Sequence, residues 1–334
     1  STKVDSQPKK WLYDVQWEEA DMYFGDEWES CDGDGLEWIV IADDKLPVSI
    51  GEWEGTQPHV VGSVDAASVQ IKQAGTNCGI VYMAMTVDEA QLKKDLLVLS
   101  NLGSDVKKLV VATTGAHCVS DDAGLTCPTQ TAVWGFIATL RLEMGQKTNC
   151  VCVDLSPGVM DGDGSVQSII KCVLDYSDET GLALDSDGQV YLQRLAESEI
   201  SIDHDVSERN SIELDSEKTF VLTGGLGGLG LVAALRLLHF GARHLVLLSR
   251  SGKVSKESWS MWEEVSKFTD AVVDVIKCDV CETREVQAVF GAIRDSGHFI
   301  GGVLHTAGVL RDRMVRGMSN DDFDVVCAPK VGGA

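Results

Sequence analysis

Nowhere in this chain does an apolar run reach the ~18–20 residues that a membrane-spanning helix needs. Basic charge is scarce as well: 28 Lys and Arg stand against 52 Asp and Glu, a formal net charge of −24. Nucleic acid, which requires a basic face, is therefore not an expected partner. The opening residues Ser1–Asp5 carry no apolar h-region, so nothing marks export. A cytoplasmic location is expected, or an organellar one if a transit peptide has been removed. Internal repeats are missing. Ten cysteines in a chain without an export signal read as free thiols rather than disulfide staples. Cys278 and Cys281 have redox or metal spacing, but no second pair or histidine pair accompanies them, so no metal site is expected. Cys150 and Cys152 occupy alternate positions of a strand and face one core.

What is present divides sharply in two. Residues 1–218 hold 39 acidic and 15 basic side chains, whereas residues 219–334 hold 13 of each. The acidity of the first half reads as solvation. The second half is neutral overall and locally basic around Arg243, Arg250, Lys253 and Lys256. At 334 residues and 44% hydrophobic, the chain is long enough for two cores.

The densest signal is a glycine turn. Thr223, Gly224, Gly225, Leu226, Gly227, Gly228, Leu229 and Gly230 follow the apolar strand Phe220–Thr223 and precede a helical pattern over Leu231–Phe240. Gly224, Gly228 and Gly230 are spaced T-G-x-x-x-G-x-G, and Gly224, Gly227 and Gly230 are spaced G-x-x-G-x-x-G. Glycines there let the backbone turn tightly and approach a pyrophosphate at a helix N-terminus. Gly241 stops the helix, and His244–Leu248 completes a β-α-β unit. An Asp or Glu at the end of that strand would bind a ribose 2′-hydroxyl. Ser249 and Arg250 stand there instead, with Lys253 nearby; a guanidinium grips a 2′-phosphate bidentately, so the cofactor reads as NADPH. The alternative for Arg250 is a solvated loop cation.

Alternation continues through a helix at Trp259–Phe268, a strand at Val272–Ile276, a helix at Arg284–Ile293 and a strand at Gly302–His305. Such units build a parallel sheet with ligands across the carboxyl ends of its strands. Cys278, Asp279 and Val280 follow one such end, and Thr306, Ala307 and Gly308 follow another. Asp279 reads alternatively as a helix N-cap.

These segments, with Ala328–Ala334, resemble the ketoreductase region of type I modular polyketide synthases and animal-type fatty acid synthases, in the short-chain dehydrogenase/reductase superfamily. Trp11–Trp17, Leu109–Ala116, Gln130–Phe136 and Cys150–Pro157 are similar to its structural, non-catalytic half. The resemblance implies an α/β fold of two Rossmann-like subdomains with parallel sheets. The first, residues 1–217, is degenerate. The second, residues 218–334, is the NADPH-binding first half of the catalytic subdomain, truncated after its fourth strand. NADPH would reduce a β-ketoacyl group carried on the phosphopantetheine arm of an acyl carrier protein, beside neighbouring synthase domains.

The resemblance also gives Lys330 a role in a Lys, Ser, Tyr, Asn tetrad, in which the cation eases proton donation by a tyrosine of ordinary pKa near 10. A surface lysine beginning a helix is the alternative. The Thr223–Gly230 turn, Ser249, Arg250, Cys278–Val280 and His305–Gly308 would hold the cofactor. Leu310, Arg311 and Asp312 would form the substrate-side loop, with Arg311 standing where many relatives carry Asp. No Tyr follows Tyr191. The Ser, Tyr and Asn would lie beyond Ala334, so the chain is expected to be a fragment, or a half completed by another polypeptide, and inactive alone. Rival readings are a non-catalytic scaffold that binds nucleotide at most, and a standalone reductase of small carbonyl compounds.

In the first half, strands are expected at Trp38–Ala42, Gly79–Met85, Leu109–Ala112 and Cys150–Leu155, and helices at Asp88–Leu102 and Thr131–Glu143. A hairpin is expected to join Leu182–Leu184 to Val190–Leu195. Asp21–Leu36 reads as an insertion and Glu197–Lys218 as the connection between halves. Tryptophans 11, 17, 28, 38 and 53 read as core or interdomain anchors.

Overall fold

The computed structural model describes residues 13–23, 35–42, 58–75, 77–84, 88–102, 106–117, 119, 127–156, 165–197 and 213–334. Trp11, Trp28, Trp53, most of the Asp21–Leu36 insertion and most of the Glu197–Lys218 connection lie outside them. The chain forms two compact units, Ser1–Ser201 with Met314–Met318, and Ile202–Arg313 with Ser319–Ala334. No helix among the described residues is long and apolar enough to cross a membrane.

The first unit is built on an eight-stranded sheet. Its strands are β1 (Tyr13–Tyr23), β2 (Glu37–Ile41), β3 (His59–Val61), β4 (Cys78–Met83), β5 (Val106–Thr114), β6 (Asn149–Leu155), β7 (Gly181–Leu184) and β8 (Gln189–Glu197). Their spatial order is β1-β8-β7-β6-β5-β4-β2-β3. The run from β7 to β3 is parallel, whereas β8 turns back on β7 as the expected hairpin and then pairs antiparallel with β1. Every residue of β4 is buried, the mark of a strand covered on both faces. Helices α1 (Val64–Ala74), α2 (Glu89–Leu102), α3 (Pro128–Met144) and α4 (Ser165–Asp175) supply that cover. Ser63 caps α1 by accepting the Ala66 amide at 3.2 Å. Neither α1 nor α4 is among the helices expected from the sequence. Cys150 and Cys152 are buried in one core, as their alternation implies. Burial lifts the Cys150 thiol to about 11. Val315 is buried in the same core, and its amide donates to Glu143 Oε2 at 2.7 Å.

Where β5 and β6 end, Gly115 turns the chain with φ +64° and donates its amide to Leu155 O at 3.1 Å. Asp154 accepts from Thr113 Oγ1, from the Ala116 amide and from the His117 amide, at 2.7, 3.0 and 2.9 Å. Trp134 donates to Thr113 Oγ1 at 2.9 Å, and its ring lies 4.3 Å from that of His117. Side chains fill the strand ends, which fits a degenerate nucleotide fold.

The second unit carries β9 (Lys218–Thr223), α5 (Gly228–His239), β10 (His244–Ser249), α6 (Trp259–Ser266), β11 (Val272–Lys277), α7 (Thr283–Asp295), β12 (Phe299–His305) and α8 (Asn320–Cys327). Its sheet is wholly parallel in the order β11-β10-β9-β12. Alternate residues of β9 serve opposite cores: Phe220 and Leu222 pack with Leu231, Ala234 and Leu238 of α5, and Val221 packs with Val289 and Ile293 of α7. The chain moves outward from β9 to β11, then returns to place β12 on the other side of β9. That reversal opens a crevice between the ends of β9 and β12, where open α/β sheets bind ligands.

Candidate functional site

A cavity of ≈610 Å³ opens at that crevice. Gly224 stands at its base with φ +64°, a left-handed conformation that favours glycine. A Cβ there would lie 2.8 Å from the Ala307 Cα and N, so the two strand ends meet only because the side chain is missing. Gly230 serves a second close approach, since a Cβ on it would overlap the Gly224 carbonyl oxygen. This lets α5 start directly above the turn. The N-cap of α5 is Gly227, which has no side chain to accept from the first-turn amides. Those amides and the positive end of the helix are left for an anion.

The turn residues divide by role. Gly224, Leu226 and Gly227 line the cavity, whereas Thr223, Gly225, Gly228, Leu229 and Gly230 do not. Gly225 donates its amide to Leu248 O at 3.0 Å and thereby fastens the turn to β10. Gly228 has open space around it, and Leu229 is 79% exposed.

At the end of β10, Ser249 Oγ accepts the Gly252 amide at 3.1 Å, and Ser251 Oγ accepts the Lys253 amide at 3.1 Å. The tight turn brings Arg250 and Lys253 to one wall of the cavity, with Ser249, Ser251, Ser255 and Ser258 beside them. No ion pair engages Arg250 among the described residues. The three downstream serines are wall groups that sequence reasoning missed; their one signal was closeness to Arg250.

The next wall follows β11. Cys278 is buried, and its thiol is pushed up by that burial first and by Glu285 and Asp279 next. Asp279 Oδ1 accepts the Cys281 amide at 3.0 Å, while the Asp279 amide donates to Glu285 Oε2 at 2.7 Å. Asp279 thus ties the turn before α7, whose own N-cap is Glu282. Val280 and the exposed Cys281 line the cavity with them. No cluster of potential metal ligands occurs among the described residues.

The wall after β12 is the most heavily tied. Thr306 donates both its amide, at 3.1 Å, and its hydroxyl, at 2.6 Å, to Thr223 O. The Ala307 amide donates to Thr223 Oγ1 at 3.2 Å. Thr306, Ala307 and Gly308 line the cavity; His305 lies behind them, bonded to Thr223 and Pro329. Lys330 is exposed on a π turn, Ala328–Gly332, that continues α8. Its side chain runs across Gly308: a Cβ on that glycine would lie 3.2 Å from Lys330 Cε and 3.6 Å from Nζ. Leu310, Arg311 and Asp312 are exposed and outside the cavity. The crevice thus offers backbone donors at its base, cations on one wall and an ammonium beside another, with no carboxylate at the end of β10.

A family profile described as KR domain matches residues 218–334. A highly reducing polyketide synthase, alnA of Emericella nidulans, is 38% identical over 122 residues, which is 36% of this chain and 5% of that protein. Polyketide synthase GfsA of Streptomyces halstedii is 32% identical over 230 residues, 68% of this chain and 3% of that protein. The chain therefore spans only a few per cent of the length of these relatives. Among solved structures, the first ketoreductase of the tylosin PKS superposes with a TM-score of 0.74 at 19% identity, covering 97% of this chain and 68% of the other. That likeness is one of fold.

Proposed function

We propose that this chain, which belongs to the ketoreductase regions of polyketide synthases in the short-chain dehydrogenase/reductase superfamily, supplies the NADPH-holding half of a β-ketoacyl reduction site. The Gly224–Gly230 turn and the uncapped start of α5 would take the pyrophosphate. Arg250 and Lys253 would take the 2′-phosphate, and the Asp279–Val280 wall would take the adenine end. Thr306–Gly308 would face the nicotinamide end, next to Lys330. When bound, NADPH would supply the hydride. Lys330 would hold positive charge beside the carbonyl oxygen's proton donor and favour loss of that proton.

No tyrosine or other phenol is present in residues 218–334. Residues 218–334 would thus supply the cofactor-holding groups and Lys330, and not the phenol that donates the proton. The substrate would be a β-ketoacyl thioester on an acyl carrier protein, delivered within a larger synthase. Leu310, Arg311 and Asp312 would form the loop on that side.

The observation that carries this reading is the cavity itself: Gly224 against Ala307 at its base, and Arg250 and Lys253 on one wall, neither in an ion pair among the described residues. Titration calorimetry with NADPH and NADH tests it. Binding of NADPH, with NADH much weaker, is expected; equal or absent binding of both overturns it. The chemical step is tested on the protein in its natural polypeptide, by NADPH oxidation with a β-ketoacyl thioester. The missing phenol also favours a second reading, a nucleotide-binding scaffold; it predicts binding without turnover even in that longer polypeptide.

A further inference from the structure

The side chain of His305 is bonded at both ring nitrogens. Nε2 lies 2.8 Å from the carbonyl oxygen of Pro329, and Nδ1 lies 2.9 Å from Thr223 Oγ1. A carbonyl oxygen only accepts, so Nε2 carries the proton, and in the neutral ring Nδ1 is then the acceptor. Thr223 must therefore donate its hydroxyl proton to Nδ1. That leaves the Thr223 oxygen free to accept the Ala307 amide at 3.2 Å. Each proton in the series has one place to go: from Ala307 N to Thr223 Oγ1, from Thr223 Oγ1 to His305 Nδ1, and from His305 Nε2 to Pro329 O. Three segments far apart in sequence are joined by it, namely the residue that opens the glycine turn, the end of β12 and the turn that carries Lys330.

We infer that His305 is the positioning residue for Lys330, and that it couples the lysine to the cofactor turn. The lysine is exposed, and no ion pair holds its ammonium group among the described residues. What locates it is its backbone, held one residue away at the Pro329 carbonyl, and the groove above Gly308, through which its side chain passes. His305 supplies the first constraint, and the missing Cβ of Gly308 supplies the second. Because the same imidazole accepts from Thr223, a shift of the residue that opens the phosphate turn is transmitted to Lys330 through two hydrogen bonds. The inference rests on the ketoreductase reading above for what the lysine does, and on geometry alone for where it is held.

The test uses the full chain with its lysines reductively ¹³C-dimethylated, and the Lys330 signal assigned by its loss in K330R. Two variants dissect the imidazole. In H305N the amide oxygen replaces Nδ1 and keeps the Thr223 bond, but the side chain is too short to reach Pro329 O. In H305Q the amide nitrogen reaches the position of Nε2 and restores the donor to Pro329 O. The expected result is a displaced Lys330 signal in H305N and a signal near the wild-type position in H305Q. NADPH affinity is expected to stay within about tenfold of wild type in both. G308A, which leaves the imidazole bonds untouched, is expected to displace the signal through steric contact and tests the second constraint alone; should H305N fail to fold, T223V, which removes the donor to Nδ1, takes its place and is expected to displace the signal. An unchanged Lys330 signal in H305N, or in T223V where H305N does not fold, overturns the proposal, as does equal displacement in H305N and H305Q. Failure of wild-type protein to bind NADPH strikes the cofactor reading instead, and the signal measured without cofactor still decides the role of His305.

Discussion

Gly224 and Ala307 meet backbone to backbone across the crevice: a Cβ on Gly224 would stand 2.8 Å from both the Cα and the N of Ala307. The contact closes the switch point between β9 and β12 and sets the depth of the cavity. Everything proposed for the site depends on the left-handed turn that makes this approach possible.

The first prediction follows from that contact. G224A combines a positive φ with a clash against immobile backbone, and is expected to cost about 1–3 kcal/mol of stability and to abolish NADPH binding. G228A is the control for stability alone, since Gly228 belongs to the same phosphate turn. A Cβ there meets nothing within 4 Å, and Gly→Ala at a compatible position stabilises by about 0.4–1 kcal/mol through the unfolded chain. Thermal unfolding and calorimetry on the pair read both effects.

Arg250 gives the second. R250A is expected to weaken NADPH binding by about 10- to 100-fold, the worth of hydrogen bonds to a charged group at ~1.5–3 kcal/mol. NADH binding should not change. Since the lost interaction is between exposed charges, the gap between wild type and R250A should narrow as salt rises. An equal loss for both cofactors would remove Arg250 from the 2′-phosphate.

A third test uses the thiols. Cys281 and Cys327 are exposed, whereas Cys78, Cys150, Cys152, Cys172 and Cys278 are buried. Burial also holds the Cys152 thiol far above its usual range and the Cys172 thiol at about 12, so these remain protonated and inert at neutral pH. Mass spectrometry after brief alkylation should find Cys281 and Cys327 modified before the five buried cysteines. NADPH should protect Cys281, which lines the cavity, and leave Cys327 reactive.

Asp322 sets a pH limit for α8. Its carboxylate accepts the Ser319 amide at 3.0 Å and the Ser319 hydroxyl at 2.7 Å, and Arg313 Nη1 lies 3.6 Å away. The Ser319 hydroxyl first, then its amide and the two arginines 313 and 311, hold the carboxyl below its ordinary 3.8. A depressed carboxyl stabilises fully above the unfolded value, and that contribution is lost as pH falls through the folded one. The start of α8 should therefore stay protected at pH 5 to 7 and lose protection progressively as the pH falls below the carboxyl's ordinary 3.8. Amide exchange over Asn320–Cys327 reads this, and D322N should remove the pH dependence.

Local signals carried most of the second unit. The period of apolar residues placed β9, α5, β10, α6, β11, α7 and β12 to within a few residues, because each element has one regular face to bury. Gly224 and Arg250 were legible for the same reason: a positive φ after a strand and a cation at the next strand's end are properties of short segments. Neither α1 nor α4 is among the expected helices, although the apolar positions of α4 are buried as deeply as any among the described residues. Cys281, Ser255 and Ser258 were missed as wall residues because nothing in their neighbours' chemistry distinguishes them from ordinary loop residues.

By itself the sequence determined the alternating α/β architecture, the glycine turn, the cationic strand end and the family resemblance, since all of these are written in residues close together along the chain. Only the tertiary structure decided that Thr223, His305 and Pro329 share one series of hydrogen bonds, that Lys330 crosses Gly308, and that Asp154, Trp134 and His117 fill the strand ends of the first unit. The reason is physical. Backbone conformation and burial period are set within a few residues, but which strand end meets which loop depends on sheet order and register, and those are settled by the packing of the whole unit.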